Sequence, residues 1–262
     1  MHTLTGAEIT IDDEVVVKVH RVGTDPRDLA TRLSIAARLC ADGRSPLLGP
    51  LSTMPERVGS RWRSRWPRVD TGEPGTAMWA EAGRLLAQLH REPLTDEERS
   101  VQQGGPQRLR RALYTLNHGG PVAAINQAAA TIPLWVWMPG AAWRPRTLVH
   151  GDWHVGQLGR RPRGPWQLID VDDLGVGDPA WDLGRPAGFW AAGLLSEADW
   201  HAFLGAYRAA GGVAVPAAPA DPWPVLEPFA RAGVVEAAAA AVTHRRDEEQ
   251  ALLIDACARM AA

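Results

Sequence analysis

The sequence predicts an α+β protein with two lobes, a small β-rich N-terminal lobe at residues 1–71 and a larger, mainly helical C-terminal lobe at residues 72–262. Alternating and β-branched residues characterise the first stretch, whereas apolar residues at helical spacing characterise the second. Between them, residues 70–75 have the sequence DTGEPG, which is rich in turn-forming residues and marks the boundary. A chain of 262 residues can bury a sizeable core.

Composition excludes several classes of protein. Lys and Arg total 28 against 30 Asp and Glu, so the net charge is −2 and the basic excess of a nucleic-acid-binding protein is missing. The sequence contains no apolar run of about 18 residues or more, and its start lacks the segments of a signal peptide. Cys40 and Cys257 are too few for a disulfide framework. We expect a cytoplasmic protein, monomer or homodimer, with no nucleic-acid or membrane partner.

A β-hairpin is predicted at the N-terminus. Residues 8–11 alternate between polar and apolar side chains, and Asp12 and Asp13 supply turn chemistry. Residues 14–20 then include four β-branched valines, which is typical of a strand. Lys18 lies near the end of that second strand.

A helix and two further strands complete the predicted N-terminal lobe. Thr24 or Asp25 is positioned to cap a helix that ends near Gly43. Two strands are expected between residues 47 and 69. In the second, residues 61–67, arginines alternate with other side chains, which favours a solvated edge strand.

The C-terminal lobe is predicted to be mostly helical. Apolar residues recur at helical spacing over residues 77–91, 108–116, 122–131, 197–210 and 225–260. Two short apolar runs, residues 147–149 and 167–169, indicate strands that bracket polar, glycine-containing loops.

Ionisable and glycine residues are densest in two stretches that each follow one of these short strands. Residues 150–157 have the sequence HGDWHVGQ, and residues 169–182 have the sequence IDVDDLGVGDPAWD. Phosphoryl transfer needs one carboxylate to accept the proton of the attacking hydroxyl and another to hold the magnesium that bridges the phosphates. Asp152 and Asp170 fit this pair of roles, and the amide oxygen of Gln157 can complete a magnesium shell.

Lys18 is the only lysine in the chain, because every other basic residue is an arginine. An ammonium group is a compact point charge, whereas a guanidinium group is a planar fork. A lone lysine in an arginine-rich sequence indicates a position where arginine cannot substitute.

The two stretches resemble the aminoglycoside phosphotransferase and choline kinase group of small-molecule kinases, which share the protein-kinase-like fold. The family signature H-G-D-x-H-x-x-N corresponds to residues 150–157. The second signature, I-D-[WF]-[ED] followed by G-D-P-x-x-D, corresponds to residues 169–182. The resemblance therefore implies a protein-kinase-like two-lobed fold with a shortened N-lobe.

The resemblance also implies an activity. The protein would transfer the γ-phosphate of ATP or GTP, with Mg²⁺, to a hydroxyl of a small molecule, of which an antibiotic or an amino sugar is the leading class. Asp152 would be the catalytic base, and Asp170 and Gln157 would be the magnesium ligands. Lys18 would contact the α- and β-phosphates. Antibiotic resistance would be the corresponding biological role.

Supporting roles around the catalytic loop are implied for three further residues, namely His150, Asp172 and Asp182. His150 would order the loop by hydrogen bonds, and Asp182 would brace it from the following helix. Gln157 departs from the family pattern, which has Asn at this position.

Two further departures concern the phosphate-binding lobe. Only residues 1–6 precede the hairpin, so the first strand and the glycine-containing phosphate loop are expected to be shortened or absent. The helix glutamate that pairs with the strand lysine in kinases aligns with Leu33, which leaves Glu14 or Asp28 to take its place.

Two alternatives stay open. A pseudokinase-like binding protein would keep the fold with weak or no catalysis, in line with these departures. A metal-dependent hydrolase would use His150, Asp152 and His154, whose His-x-Asp-x-His spacing puts three potential ligands on one side of an extended segment.

Overall fold

The computed structural model describes residues 6–41, 45–72, 75–116, 122–138, 141–244 and 247–261. The strands are β1 (Glu8–Asp12), β2 (Val15–Val19), β3 (Glu56–Val58), β4 (Arg61–Pro67), β5 (Thr147–Val149), β6 (Leu158–Arg160), β7 (Trp166–Leu168) and β8 (Gly175–Gly177). The helices are α1 (Pro26–Cys40), α2 (Thr76–His90), α3 (Gly105–Leu116), α4 (Val122–Ala130), α5 (Ala180–Ala191), α6 (Glu197–Ala209), α7 (Trp223–Thr243) and α8 (Asp247–Ala261). Short 3-10 helices occupy Glu98–Ser100, Leu134–Trp137 and Val155–Gln157.

The chain forms two compact units, each assembled from separate stretches of sequence. Unit 1 comprises Met1–Pro74, Leu94–Val101 and Val155–Asp172. Unit 2 comprises Gly75–Pro93, Gln102–His154 and Asp173–Ala262. The sequence-based division into residues 1–71 and 72–262 concerns a single boundary and stays a prediction. The expected shortening of the phosphate loop falls on residues 1–5, which lie outside the described residues.

Unit 1 contains an antiparallel sheet with the strand order β1-β2-β4-β3. A two-residue turn joins β1 to β2, and Asp13 there has a φ of 49°, a left-handed conformation that Asp tolerates. The register pairs Lys18 of β2 with Ser64 of β4. Because β4 pairs on both sides, with β2 and with β3, the prediction of an edge strand is wrong.

Helix α1 begins where its capping residue predicts. The Asp25 side chain accepts hydrogen bonds from the backbone amides of Arg27 and Asp28, and Pro26 occupies the first turn. The buried face of α1 carries Leu29, Leu33, Ile35, Ala36 and Leu39. Leu33 is therefore a core residue, in agreement with the apolar stripe in the sequence.

A second, two-stranded sheet in unit 1 carries the segment from Gln157 to Asp170. Strand β6 pairs antiparallel with β7, so the two ends of the hairpin come together. The backbone amide of Ile169 donates to the carbonyl of Gln157 at 2.9 Å, and that of Leu168 donates to the carbonyl of Pro46 at 2.7 Å. These hydrogen bonds fix the positions of the residues that follow β7.

Unit 2 is mainly helical. Helix α2 packs against α6, α5 packs against α7, and α7 also contacts α3, α4 and α8. Glycines permit the closest of these approaches: a Cβ atom at Gly83 would lie 2.2 Å from the carbonyl oxygen of Phe203, so no larger residue fits there. The only strands of unit 2 among the described residues, β5 and β8, pair antiparallel and hold the loop that begins at His150.

The mixed α and β class, with a small antiparallel sheet in one unit and a helical second unit, is confirmed. Across the described ranges, the structure contains no helix with the length and apolar character needed to cross a membrane.

Candidate active site

Lys18 is buried in unit 1 and pairs with two carboxylates. Its Nζ lies 2.6 Å from Oδ1 of Asp170 and 2.9 Å from Oδ2 of Asp172. Burial alone would lower the pKa of Lys18, but the negative charges of Asp170 and Asp172 outweigh burial and hold this pKa above its usual range. The partners of the lysine are therefore these two aspartates. The expectation that Glu14 or Asp28 would pair with it is wrong.

Asp170 adopts an unusual backbone conformation. Its φ is 65°, in the left-handed region, which is uncommon for non-glycine residues although aspartate tolerates it, as at Asp13. The Asp170 carboxylate accepts a hydrogen bond from the backbone amide of Asp172 at 3.3 Å, which closes a tight turn. Non-glycine residues that the surrounding structure holds in this region are common at functional sites.

Two residues of unit 1, Asp170 and Gln157, carry donor oxygens of the kinds that suit a magnesium ion. Gln157 is nearly buried and lies across the β6–β7 hairpin from Ile169, the residue before Asp170. Carboxylate and amide oxygens are the ligands that Mg²⁺ prefers, and in phosphoryl-transfer sites one or two carboxylates suffice because phosphate oxygens and water complete the shell. Asp170 and Gln157 are thus suitable ligands.

Asp152 lies in unit 2, directly after Gly151, whose φ of 81° allows the chain to turn there. Its Oδ1 is 3.1 Å from Nη2 of Arg108 and 3.7 Å from Nη1 of Arg185. Burial raises the pKa of Asp152 to about 6, although Arg108 and Arg185 act in the opposite direction. A carboxylate with this pKa is ionised at neutral pH and is a stronger base than an exposed aspartate.

Arg108 binds three carboxylates in unit 2. Besides Asp152, it donates from Nε to Oε1 of Glu236 at 2.6 Å and from Nη1 to Oδ2 of Asp173 at 2.5 Å. Its Nη2 also donates to the carbonyl oxygen of Gly151 at 3.0 Å. Arg185 reaches Glu236 at 2.9 Å. Arg108 therefore holds the loop of residues 150–152 by a hydrogen bond to Gly151 and an ion pair with Asp152, and Arg185 adds positive charge 3.7 Å from Asp152.

Asp182, at the start of α5, fixes the other side of this loop. Its two carboxylate oxygens accept hydrogen bonds from the backbone amides of His150 at 2.7 Å and Gly151 at 2.8 Å. His90 Nε2 lies 3.0 Å from the same carboxylate, and His90 Nδ1 lies 2.8 Å from the Tyr207 hydroxyl. Burial would raise the pKa of Asp182, but the hydrogen bond from His90 and those from the loop hold it below its usual range.

Trp153 seals this loop against the core of unit 2. Its ring stacks on Phe203 with a centroid separation of 5.1 Å and meets Trp79 edge-on at 5.7 Å. Only 3% of Trp153 is exposed, so the ring fills space in the core.

The structure brings the predicted residues together in two groups. Unit 1 holds Lys18, Gln157, Asp170 and Asp172, and unit 2 holds His150, Asp152 and Asp182. Within unit 1, Lys18, Asp170 and Asp172 are in direct contact, and within unit 2, Asp182 binds the loop that carries Asp152.

The His-x-Asp-x-His spacing does not produce a metal site in the part of the chain that the structure describes. No group of three or more His, Cys, Asp or Glu side chains there has the geometry to hold a metal ion by itself. Asp152 binds Arg108 and Arg185, and the backbone of His150 binds Asp182. This arrangement does not support the hydrolase alternative.

The sequence did not predict four neighbours of the site residues, namely His20, Arg108, Arg185 and Glu236. A local signal existed for two of them. His20 is two residues from Lys18, which puts both side chains on one face of a strand, and Arg185 is three residues from Asp182 on a helix. Arg108 and Glu236 are far from Asp152 in sequence and stand among many similar residues, so no local pattern identifies them.

Comparisons with known proteins agree with this geometry. A family model described as "Phosphotransferase enzyme family" matches residues 9–229. A search of curated proteins finds no match.

Several solved structures are similar to this chain over nearly its whole length. A choline kinase from Streptococcus pneumoniae has a TM-score of 0.62 at 13% identity, covering 100% of this chain and 91% of that one. The AMP-bound complex of a spectinomycin phosphotransferase has a TM-score of 0.61 at 15% identity, covering 99% and 91%. A thermostable mutant of an aminoglycoside phosphotransferase has a TM-score of 0.59 at 12% identity, covering 97% and 93%. At such identities the likeness shows the fold alone, and the predicted protein-kinase-like fold is confirmed.

Proposed function

The chain belongs to the phosphotransferase enzyme family, as its two motifs predict, and we propose that it transfers the γ-phosphate of a nucleoside triphosphate to a hydroxyl of a small molecule. The observation that carries this proposal is the contact of 2.6 Å between Lys18 and Asp170. The only lysine of the chain, buried in unit 1, lies against the aspartate of the second motif. Kinases use a strand lysine at the phosphates together with an aspartate that holds magnesium, and Lys18 and Asp170 would fill these two roles.

Asp152 is proposed as the catalytic base. The acceptor's hydroxyl oxygen attacks the γ-phosphorus, and the bond between that phosphorus and the β–γ bridging oxygen breaks. The hydroxyl proton passes to the carboxylate of Asp152, and the nucleoside diphosphate leaves. A pKa of about 6 suits this step, because Asp152 is then ionised at neutral pH yet more basic than an exposed carboxylate.

Arg108, Arg185 and Asp182 would hold the loop of Asp152 in place during this transfer. Each binds the backbone or the carboxylate of residues 150–152. A preorganised base loses little orientational freedom as the reaction begins, which lowers the barrier. Lys18 would bind the α- and β-phosphates and offset their charge.

The proposed donor is ATP or GTP, and the proposed ligands of Mg²⁺ are Asp170 and Gln157. Solved neighbours have been crystallised with AMP, with AMP-PNP and with GDP, which supports nucleotide binding by this fold. When bound, Mg²⁺ supplies positive charge that neutralises the phosphate oxygens.

For the acceptor, we propose a hydroxyl-bearing antibiotic or amino sugar. One neighbour has been crystallised with ADP and spectinomycin, and another with AMP-PNP and hygromycin B. Antibiotic resistance would be the biological consequence of such an activity.

Turnover and binding measured on the same variants test the proposal. Nucleoside diphosphate release, with ³¹P NMR of the products, is followed for a panel of hydroxylated aminocyclitols and macrolides with ATP or GTP. Asp152→Asn is expected to lower kcat by about 100-fold or more, the usual contribution of a general base, while the nucleotide Kd changes little. Asp96→Asn is the matched control, because the Asp96 carboxylate is fully exposed.

Two results would count against the enzyme. If Asp152→Asn kept most of the wild-type turnover, the assignment of the base would be wrong. If the wild type bound nucleotide with Mg²⁺ but phosphorylated nothing in the panel and showed no slow hydrolysis, the pseudokinase-like binding protein would be the better description.

A further inference from the structure

A continuous chain of hydrogen bonds runs through the buried face of the β2–β4 pair in unit 1. Trp66 Nε1 lies 2.8 Å from Ser64 Oγ, and Ser64 Oγ lies 2.8 Å from His20 Nε2. His20 Nδ1 then lies 3.1 Å from Oδ1 of Asp172, and Oδ2 of Asp172 lies 2.9 Å from Lys18 Nζ. The register explains this placement, because Ser64 is directly opposite Lys18 and His20 is two residues further along the same face.

The chemistry of the donors and acceptors determines which group donates in these hydrogen bonds. An indole nitrogen can only donate and a carboxylate can only accept, so Trp66 donates to Ser64, and Nδ1 of His20 carries the proton that binds Asp172. In the tautomer with the proton on Nδ1 alone, the Ser64 hydroxyl donates to Nε2 of His20. Every polar atom along the path has a partner in this arrangement, which is the condition for a stable buried network.

The two aspartates at Lys18 differ in how many of their oxygens are used. Asp172 is held by His20 through Oδ1 and by Lys18 through Oδ2. Asp170 contacts Lys18 through Oδ1 alone. Both carboxylate oxygens of Asp172 are therefore engaged, whereas Asp170 keeps an oxygen for another ligand.

We propose that His20 is a positioning residue that, through Asp172, anchors Lys18 for contact with the nucleotide phosphates. In kinases this anchor is a glutamate on a helix of the small lobe. Here the aligned position is Leu33, which is fully buried in the core, so α1 offers no carboxylate at that point. His20, which follows β2 of the sheet, and Asp172, which lies in the second motif, together anchor the lysine in place of that glutamate. The proposal rests on the proposed role of Lys18 in binding phosphates.

The single lysine makes the anchor directly visible by NMR. Protein grown with ¹⁵N-labelled lysine contains one labelled ammonium group, that of Lys18. Because this group is buried and ion-paired, its protons are expected to exchange slowly with water and to give one cross-peak in the nucleotide-free wild type.

Two substitutions of one residue separate the two ends of the imidazole. The amide nitrogen of Asn lies near the place of Nδ1, so His20→Asn keeps a donor for Asp172. The amide of Gln reaches the place of Nε2, so His20→Gln keeps the contact with Ser64 and loses the one with Asp172.

His20→Asn is expected to retain the lysine cross-peak and to bind ATP with Mg²⁺ within about twofold of the wild type. His20→Gln is expected to lose the cross-peak by exchange with water. Its KM for ATP should rise about tenfold, as for one lost charge-assisted hydrogen bond, with kcat nearly unchanged. A merely structural role would affect both variants alike and would lower kcat with the amount of folded protein.

Identical behaviour of the two variants, or a wild-type cross-peak in His20→Gln, would overturn the proposal. If both variants prove unfolded, Asp172→Asn provides a second route, because it removes the anchor's charge without touching His20. Retention of the cross-peak and of the KM in Asp172→Asn would equally reject the anchor.

The same spectra separate this inference from the proposed function. Anchoring is read from the nucleotide-free spectrum, and phosphate binding is read from the shift of the cross-peak when ATP and Mg²⁺ are added. A cross-peak that depends on His20 but ignores nucleotide would uphold the anchor and reject Lys18 as a phosphate ligand.

Discussion

Replacing Asp152 by Asn should stabilise the protein at high pH even as it removes the proposed base. Folding raises the pKa of Asp152 from 3.8 to about 6, so the folded state binds this proton more tightly than the unfolded state does. The stabilisation that this tighter proton binding gives the folded state is fully present below pH 3.8 and is lost as the pH rises through 6. Each pKa unit corresponds to about 1.4 kcal/mol, so the shift costs about 3 kcal/mol once Asp152 is ionised.

Asparagine has nearly the shape of aspartate but no charge to desolvate, and its carbonyl oxygen can still accept from Arg108. Asp152→Asn should therefore raise the free energy of unfolding at pH 8 by about 3 kcal/mol, or Tm by roughly 6–12 °C for a chain of this size. The gain should shrink towards zero as the pH falls from 6 to 4.

Urea denaturation of both proteins at several pH values between 4 and 8 measures this difference, with Asp96→Asn as the exposed control. A neutral or destabilising effect of Asp152→Asn at pH 8 would contradict this prediction. It would mean that attraction from Arg108 and Arg185 outweighs the burial of the Asp152 carboxylate.

Three further predictions concern the residues around the two motifs. Turnover should rise with pH through about 6 as Asp152 ionises, and Arg108→Gln, which removes a cation that lowers this pKa, should move the acidic limb of the kcat/KM profile to higher pH. Asp182→Asn should lose about 2 kcal/mol of stability at pH 7, because one of the two loop amides would face a donor. Since folding lowers the pKa of Asp182, its contribution is fully present above the unfolded value of 3.8 and is lost as the pH falls from there through the lower folded pKa, so urea melts at pH 7 and pH 3 should show a smaller contribution at pH 3. Gln157→Asn, which restores the family residue, should change the Mg²⁺ concentration for half-maximal turnover while leaving Tm within about 1 °C; an unchanged Mg²⁺ dependence would remove Gln157 from the metal shell.

Local signals predicted most of the elements. The apolar run at residues 147–149 is β5, and the alternating run at residues 61–67 is β4. Asp25 caps α1 because an aspartate before a proline satisfies the free amides of the first turn. Such features depend on neighbours within a few residues, so a single sequence contains the information for them.

The position of β4 in the sheet was missed for a different reason. Its arginines suggested a solvated edge, yet Arg61 and Arg63 form ion pairs with Glu8 and Glu56, on the strands at either edge of the sheet. Alternation of polar and apolar residues indicates which face of a strand is exposed to solvent. It does not indicate which strands pair with it on either side.

In the candidate site, too, residues that are close in sequence could be predicted, and partners that are far apart could not. The two motifs identify Asp152 and Asp170 because their residues are close in sequence. The ion pair of Lys18 with Asp170 joins residues 152 positions apart, and the pair of Arg108 with Glu236 joins residues 128 positions apart. Tertiary structure alone selects these partners from the 28 basic and 30 acidic residues.

Thermal unfolding with ATP or GTP, each with and without Mg²⁺, would show whether this chain binds a magnesium nucleotide through Lys18 and Asp170. A ligand at about 100 times its Kd adds about 2.7 kcal/mol of stability, which corresponds to an increase of several degrees in Tm. We expect such an increase for the wild type only when Mg²⁺ is present, and we expect its loss in Asp170→Asn. Unchanged unfolding of the wild type with both nucleotides, or an equal increase in Asp170→Asn, would contradict this expectation.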